Sequence, residues 1–329
     1  MTFLSEPVLA VAVLEVLVGL FLLTKAADQF VDGAVGAAAA ARISPIVVGA
    51  VIVGFGTSAP ELLVSGIAAW NGDVELGVGN VVGSNVANLS LVLGAAALIV
   101  PILVTKSVLS KEAPLSLAAV CLFAFFTVGG FEVWEGIVLL VVLVVVLTWI
   151  VVGGNEDSVE ELEIDADATL ASSMITTLVG LVGTLIGAQL MVWGALAIAE
   201  ELGLTGGFVG FTLVAVGTSL PELVTAVAAA RKGETELILG NLLGSNMFNS
   251  LAVGGVIAVL GAGTINDELM RTYGIVIMVV VATLAWVFMV ARKRVFKVEA
   301  VTLLTVYFLA ILLISETGAG ESIRSLIEG

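Results

Sequence analysis

The sequence predicts an all-α polytopic membrane protein with ten transmembrane helices, arranged as two inverted five-helix repeats. Three observations lead to this fold class. First, the 329 residues are 60% hydrophobic and only 12% charged, whereas soluble proteins carry roughly 25% charged residues. Second, apolar runs long enough to cross a bilayer recur along the whole chain. Third, one polar motif and its surroundings occur twice, 161 residues apart.

The apolar runs divide the chain into two halves of five spans each. Residues 1–153 are predicted to form the first five-helix repeat, 154–169 an acidic cytoplasmic linker, and 170–329 the second repeat. The linker does not match the spacing of an EF-hand calcium loop, so we interpret it as a solvated connection. The approximate bounds of the predicted spans are 8–24, 43–69, 76–101, 113–130, 134–153, 170–199, 206–230, 236–262, 273–291 and 298–315.

Basic residues predict the orientation of the chain, because Lys and Arg accumulate in cytoplasmic loops. Ten of them fall on one side of the ten predicted spans, and only Arg271 and Arg324 fall on the other. This distribution predicts a multi-pass protein of the cell membrane with both termini outside. The ten are Lys25, Arg42, Lys106, Lys111, Arg231, Lys232, Arg292, Lys293, Arg294 and Lys297.

Composition excludes several classes of function. The chain has no histidine and a single cysteine, Cys121, so it has neither a His-based metal site nor an internal disulfide. It lacks a phosphate-binding loop, which argues against an ATP-driven pump. A net charge of −16 argues against nucleic acid as a partner. We expect no cofactor. The lipid bilayer is an expected partner, and the sequence indicates no protein partner.

The first repeated motif lies within the second and seventh predicted spans. It reads GTSAPEL at residues 56–62 and GTSLPEL at 217–223. A carboxylate in the middle of a transmembrane helix costs about 2.5–3.5 kcal/mol on insertion scales. Glu61 and Glu222 are therefore predicted to have a function, and the paired motifs indicate a cation site built from both halves.

Prolines are expected to break both of these helices. Pro60 and Pro221 lack a backbone N–H and clash with the preceding turn. Carbonyl groups just upstream, at about Gly54 and Ala215, would then be free to face a cation. Irregular backbone at membrane depth is tolerated where it lines a cavity or is buried in protein.

A second motif follows in each half, GNVVGSNVAN at 79–88 and GNLLGSNMFN at 240–249, with the same separation. The serine and the last asparagine of each motif are four residues apart, so they share one face of a helix. Because each half has five spans, an odd number, the halves must enter the membrane from opposite sides. This is the inverted-repeat plan of secondary transporters, with the site near the midplane.

Together the motifs supply only hard oxygen ligands. Calcium takes six to eight oxygens in flexible geometry and sodium accepts the same types, whereas magnesium resists dehydration. Two carboxylates would balance one calcium or two sodium ions. The sequence leaves open whether Asn85 and Asn246 belong to the site or serve helix packing. The predicted cation site consists of Gly54, Thr57, Ser58, Glu61, Ser84, Asn88, Ala215, Thr218, Ser219, Glu222, Ser245 and Asn249.

Each feature taken singly has a structural explanation. A lone Ser or Thr in a membrane helix usually donates to its own backbone, and glycines usually serve close helix packing. Repetition of both motifs in register makes these explanations inadequate.

The paired motifs resemble the alpha repeats of the cation/calcium exchanger superfamily, in its sodium/calcium exchanger branch with prokaryotic members. The resemblance implies alternating access at one site formed by the second, third, seventh and eighth spans, with the first and sixth spans sliding against a rigid core. It implies that Glu61 and Glu222 are shared by calcium and sodium. The hydroxyl groups of both motifs would supply further oxygens, and the carbonyls of Gly54 and Ala215 would act as ligands.

One residue departs from the family pattern. Many sodium/calcium exchangers carry Asp where this chain has Asn249, so the site here contains two acids instead of three. The departure argues against a potassium-dependent exchanger.

The predicted function is that of a secondary antiporter, not an enzyme, which exchanges sodium for calcium. A proton/calcium exchanger is the nearest alternative, and a cation channel is a more distant one, because midplane carboxylates in broken helices could also line a pore. An intramembrane enzyme using the two glutamates as acid and base has no further support in the sequence.

Overall fold

A computed structural model describes residues 6–152, 169–201, 215–263, 265 and 273–328, and these residues are almost entirely helical. The predicted acidic linker lies almost wholly outside the described residues. The α-helices are α1 Glu6–Ala41, α2 Pro45–Val48, α3 Gly54–Thr57, α4 Ala59–Trp70, α5 Val74–Ala87, α6 Leu93–Ile99, α7 Lys106–Ser110, α8 Glu112–Thr127, α9 Val133–Val152, α10 Leu170–Glu201, α11 Ala215–Thr218, α12 Leu220–Lys232, α13 Thr235–Phe248, α14 Gly254–Leu260, α15 Ile275–Arg292 and α16 Lys297–Glu328.

Three π-helical segments and two short strands complete the described structure. The π-helical segments are π1 Gly49–Val53, π2 Asn88–Val92 and π3 Asn249–Val253, and the strands are β1 Ile102–Leu103 and β2 Arg294–Val295. Segments π2 and π3 each begin at the last asparagine of the second motif. Single-turn π-helices of this kind occur frequently at functional sites.

Seven described helices are long and apolar enough to cross a membrane, or eight if the bent helix formed by Pro45–Thr57 and Ala59–Trp70 counts as one span. The outer helices expose many large apolar side chains, such as Leu63, Trp70 and Val152, as lipid contact requires. The chain is therefore a helical membrane protein.

The first span is longer than predicted. The sequence analysis ended it near residue 24, but α1 runs for 36 residues to Ala41. Lys25 therefore lies within a helix, on its exposed side, and not in a loop. The C-terminal part of α1 is rich in alanine, the best helix former, and this part is buried against α10.

Helices α1 and α10 pack against each other along their length in antiparallel orientation. Phe30 lies against Gly180, and Ala12 lies against Gly194 at the other end of the pair. A Cβ atom at Gly180 would stand only 2.4 Å from the backbone nitrogen of Phe30. Small residues therefore allow this close approach, as is common between membrane helices.

Gly180→Ala is expected to destabilise the protein by about 1–3 kcal/mol, because the added methyl group has no space. The midpoint of thermal unfolding of the purified protein should fall accordingly. Gly129→Ala is the matched control, since a Cβ atom there meets nothing within 4 Å. An equal midpoint for the two variants would contradict the close packing of α1 on α10.

The two halves of the chain repeat the same local structure. Helices α3 to α6, including the break after α3 and segment π2, correspond to α11 to α14 at the separation of 161 residues. The repeated sequence therefore folds in the same way twice.

The halves also exchange contacts reciprocally. Gly94 of α6 packs against Leu304 of α16, and Gly255 of α14 packs against Leu140 of α9. Strand β1 of the first half pairs with β2 of the second half, and reciprocally Gly263 of the second half pairs with Phe131 of the first. In each half, therefore, the last helix (α9 or α16) packs against a helix of the other half.

The core is centred on α13, which is largely enclosed by other helices. Gly240 and Gly244 of α13 lie against the backbone of Ile46 and Ala50, and a Cβ atom at either glycine would stand 2.4 Å from a carbonyl oxygen. Gly54 lies against Ser245 further along. Along these contacts the residue numbers rise in the same direction in both segments. The segment from α2 to α3 therefore runs parallel to α13.

Candidate cation-binding site

Both repeats break their second helix at the same point of the motif. The backbone angles at the break are φ −87° and ψ 8° for Ser58, and φ −89° and ψ 5° for Ser219. The first break bends the helix by 46°. Pro60 and Pro221 lie in the first turn of the helix that follows, where the missing N–H is not needed. The predicted helix breaks at the prolines are confirmed.

The breaks place both glutamates in the first turn of a new helix. Glu61 and Glu222 are 1% and 0% exposed. The N-terminal end of a helix stabilises negative charge through its dipole. Both carboxyl groups therefore lie inside the protein, each in the first turn of a helix.

The remaining predicted ligands are also enclosed. Thr218 is half-buried. Ala215 is the first residue of α11, and its side chain lies outside the described part of the structure. The fully buried members are Gly54, Thr57, Ser58, Ser84, Asn88, Ser219, Ser245 and Asn249.

The two carboxyl groups lie close enough together to repel each other. The Ser58 hydroxyl donates a hydrogen bond of 3.0 Å to Glu222 Oε1 across the boundary between the repeats. Thr57 lies beside the same carboxyl group, and Ser84 lies beside that of Glu61. The structure therefore brings side chains of both repeats together around the acids.

Among the residues that the structure describes, no basic side chain forms an ion pair with Glu61 or Glu222. Within the described part of the chain, the ion pairs are Lys232–Asp32 and Arg292–Glu299, and neither involves the site. The described residues also contain no group of three or more His, Cys, Asp or Glu side chains that could hold a metal. A cation here would be held by two carboxylates together with hydroxyl and amide oxygens.

The carbonyl of Gly54 differs from its prediction. It accepts the hydroxyl of Ser245 at 3.2 Å and the backbone N–H of Ser58 at 3.2 Å. The expectation of a freed carbonyl at Gly54 is thus wrong for this conformation. Pro60 lacks the N–H that would donate to the carbonyl four residues earlier, which belongs to Gly56 and not to Gly54. A cation ligand at Gly54 would require one of these bonds to open.

Amide side chains connect the two π-helical segments. Asn88 Nδ2 donates to Asn246 Oδ1 at 3.0 Å, and Asn246 Nδ2 donates to the carbonyl of Asn85 at 3.4 Å. Asn85 Nδ2 in turn donates to Ser250 Oγ at 3.0 Å. Asn85 and Asn246 therefore join the repeats, which favours the packing role for both.

Several buried oxygens of the predicted set have no hydrogen-bond partner in the part of the chain that the structure describes. Unpaired buried polar atoms are rare in proteins and are expensive to maintain. Cation coordination would satisfy all of them. They are both carboxyl oxygens of Glu61, Oε2 of Glu222, the side-chain oxygens of Asn88 and Asn249, and the hydroxyls of Ser84 and Ser219.

Packing places the remaining members near the same centre. Segment π3, which begins with Asn249, packs against α4, the helix of Glu61. Segment π2, which begins with Asn88, packs against α12, the helix of Glu222. The side chains of Ser219, which precedes α12, and of Asn249 have no hydrogen-bond partner among the described residues.

The sequence analysis missed two residues next to the site. Thr57 Oγ1 donates to Asn241 Oδ1 at 3.3 Å, and Thr218 Oγ1 donates to Asn80 Oδ1 at 3.3 Å. Both asparagines stand at the second position of the second motif. Their presence in both copies was the available signal.

Comparison with known proteins shows the family to which the chain belongs. A family model for the sodium/calcium exchanger protein family matches residues 11–152 and 172–315. The chain is 37% identical over 309 residues to the putative antiporter CaxA of Alkalimonas amylolytica, covering 90% of this chain and 96% of that one. It is 31% identical over 288 residues to the sodium/calcium exchanger MaX1 of Methanosarcina acetivorans, covering 74% and 81%.

A solved structure shares the fold. The sodium-calcium exchanger NCX_Mj, soaked with Na⁺ and Sr²⁺, superposes with a TM-score of 0.82 at 32% identity, covering 92% of this chain and 98% of that one. These relatives are exchangers and an antiporter and not enzymes, so the expectation of a transporter is confirmed. The family model covers most of the chain and two full-length relatives exceed 30% identity, so the chain belongs to the sodium/calcium exchanger protein family, whose members are cation/calcium antiporters.

Proposed function

We propose that this protein exchanges sodium for calcium across the cell membrane by alternating access at the site between α4, α5, α12 and α13. The carrying observation is a pair of buried carboxylates that have no basic partner in the described parts of the chain and lie near hydroxyl and amide oxygens of both repeats. The names of the relatives, which refer to sodium and calcium, support sodium as the counter-ion. Calcium and sodium are the only ligands proposed.

The charge of the site provides the physical basis of exchange. Two ionised carboxylates without a cation are expensive in a low-dielectric interior. One calcium ion or two sodium ions would neutralise them. We therefore expect the loaded carrier to reorient readily and the empty, unprotonated carrier to reorient poorly, which couples the two fluxes.

The helix directions support the proposed arrangement of two inverted repeats. Helices α1 and α10, the first of each half, pack in antiparallel orientation. Helix α5 runs back along α4, as the contact of Ser65 with Gly77 indicates, whereas α13 runs parallel to the α2–α3 segment. Corresponding helices of the halves thus point in opposite directions, which supports the inversion.

The distribution of basic residues supports an orientation with both termini outside. Lys25 lies within α1 and no longer counts as a loop residue. Without it, nine basic residues remain on the side proposed as cytoplasmic against two on the other. In this arrangement the α1–α10 pair is proposed to slide against the core.

Calcium uptake into proteoliposomes tests the proposal. Vesicles of purified protein are loaded with sodium and diluted into sodium-free buffer containing radiolabelled calcium. We expect uptake only with the outward sodium gradient, and none in protein-free vesicles or with equal sodium on both sides.

Two other results would change the assignment. Uptake driven by a pH gradient alone would identify a proton/calcium exchanger, in which the buried glutamates carry the proton. Calcium flux without any counter-ion, at rates far above those of carriers, would identify a channel.

A further inference from the structure

Two asparagine side chains outside the predicted ligand set contact the threonines of the site across the repeat boundary. Asn241 Oδ1 accepts from Thr57, and Asn80 Oδ1 accepts from Thr218, each at 3.3 Å. Asn80 and Asn241 are 8% and 1% exposed. Each asparagine lies on the helix that also carries the Ser and Asn of its second motif. The two contacts are related by the repeat and are made in both halves.

We propose that Asn80 and Asn241 are positioning residues, which hold the hydroxyl protons of Thr218 and Thr57 away from the bound cation. The inference rests on the proposed function, because it concerns affinity at the same site. A threonine hydroxyl has one proton and two lone pairs, and only the lone pairs can bind a cation. The direction of the proton therefore decides whether the threonine is a ligand.

Thr57 has competing acceptors for its single proton. Val53 O lies at 3.0 Å and Asn241 Oδ1 at 3.3 Å, while the Glu222 carboxyl group lies beside the same hydroxyl. A proton directed to Glu222 would point its positive end into the cation site. When Asn241 Oδ1 accepts the proton, the proton points away from the cation site. The lone pairs of the Thr57 hydroxyl oxygen are then available to the cation.

The amide group suits this role because it is a neutral acceptor. A carboxylate at the same place would add charge beside the two acids, whereas an amide orients the hydroxyl without changing the charge of the site. The orientation of Asn80 is fixed by its other end, since its Nδ2 donates to Ser65 Oγ at 2.9 Å and to the Glu61 carbonyl at 3.4 Å.

Asn241 provides the cleaner test of the two. Its Nδ2 has no hydrogen-bond partner among the described residues, whereas substitution of Asn80 would also release Ser65 and the backbone of Glu61. Asn241→Leu removes the acceptor and keeps the branched shape of the side chain. Asn241→Ala removes it with a smaller side chain, which cannot overpack the core.

The experiment compares calcium binding to the purified full-length protein, measured by equilibrium dialysis with radiolabelled calcium, and uptake kinetics in proteoliposomes. In both Asn241 variants we expect the dissociation constant and KM for calcium to rise about fivefold, the effect of one net hydrogen bond. The maximal rate should change much less. A purely structural role would instead give different effects for Leu and Ala, following their packing.

A double variant tests whether Asn241 acts through Thr57. Adding Asn241→Leu to Thr57→Val should weaken calcium binding no further, because the hydroxyl to be oriented is already gone. Thr127→Val is the matched control, since Thr127 is buried and donates only to Phe123 O of its own helix; its calcium affinity should equal that of the wild type.

The outcomes separate the two proposals. If the wild-type protein binds no calcium, the proposed function fails, and this inference fails with it. If the wild type binds calcium and both Asn241 variants bind it equally well, only the positioning role is overturned. An additional loss in the Thr57→Val background would overturn it as well.

Discussion

Glu61→Gln and Glu222→Gln are each expected to reduce sodium-driven calcium uptake at least about 100-fold, because removing one partner of a buried ionic interaction costs about 3–5 kcal/mol. Glutamine keeps the size of the side chain and one acceptor oxygen. It removes a charge that would balance the proposed cation, at a place where the described residues supply no basic partner. The measurement is the initial rate of radiolabelled calcium uptake into sodium-loaded proteoliposomes.

The glutamine variants should still insert into the membrane, because an uncharged side chain is easier to bury than an ionised one. Glu135→Gln is a suitable control, since Glu135 lies in the first turn of α9, outside the site. Its uptake should match the wild type. Normal exchange by either site variant, at normal protein levels, would overturn the assignment of that glutamate.

Asn249→Asp is expected to raise the apparent affinity for calcium by about tenfold or more, because a third carboxylate would face the cation at short range in a medium less polarisable than water. Asn249 is 0% exposed, and both ends of its amide group have no partner among the described residues. The dependence of uptake on sodium should change as well. Affinities come from calcium and sodium titrations of the exchange rate.

The same substitution at an exposed position controls for added charge. Asn71 follows the last residue of α4 and is exposed, so Asn71→Asp should leave both titrations unchanged. If Asn249→Asp inserts normally and neither the sodium nor the calcium affinity changes, then Asn249 does not face the site. In that case its role would be confined to helix packing.

Sequence reasoning worked well where a local pattern has one physical solution. Apolar runs of about 20 residues have to cross a bilayer, and Pro60 and Pro221 have to begin a new helical turn. It was also possible to foresee that Glu61 and Glu222 come together, because the motif is repeated and the helices carrying it are broken in the same way. The charge of a buried carboxylate made its functional importance visible without a structure.

Sequence reasoning failed where the result depends on what packs from another part of the chain. The first span was expected to end near residue 24, but α1 continues to Ala41, and its small residues lie against α10. The carbonyl of Gly54 was expected to be free, yet the hydroxyl of Ser245 reaches it from the other repeat. Both errors also have a local part, because Pro60 frees the carbonyl of Gly56 and not that of Gly54, and because the alanines at the end of α1 favour a helix.

The membrane class, the duplication and the residue types of the proposed ligands can be predicted from the sequence, since they depend on composition and on residue types at a repeated spacing. Which oxygens are paired depends on the tertiary structure. Ser58 bonds Glu222 while the carboxyl group of Glu61 has no hydrogen-bond partner among the described residues, although the two motifs are nearly identical. Hydrogen bonds between repeats depend on distances of a few tenths of an ångström, and those distances are set by how the two halves pack.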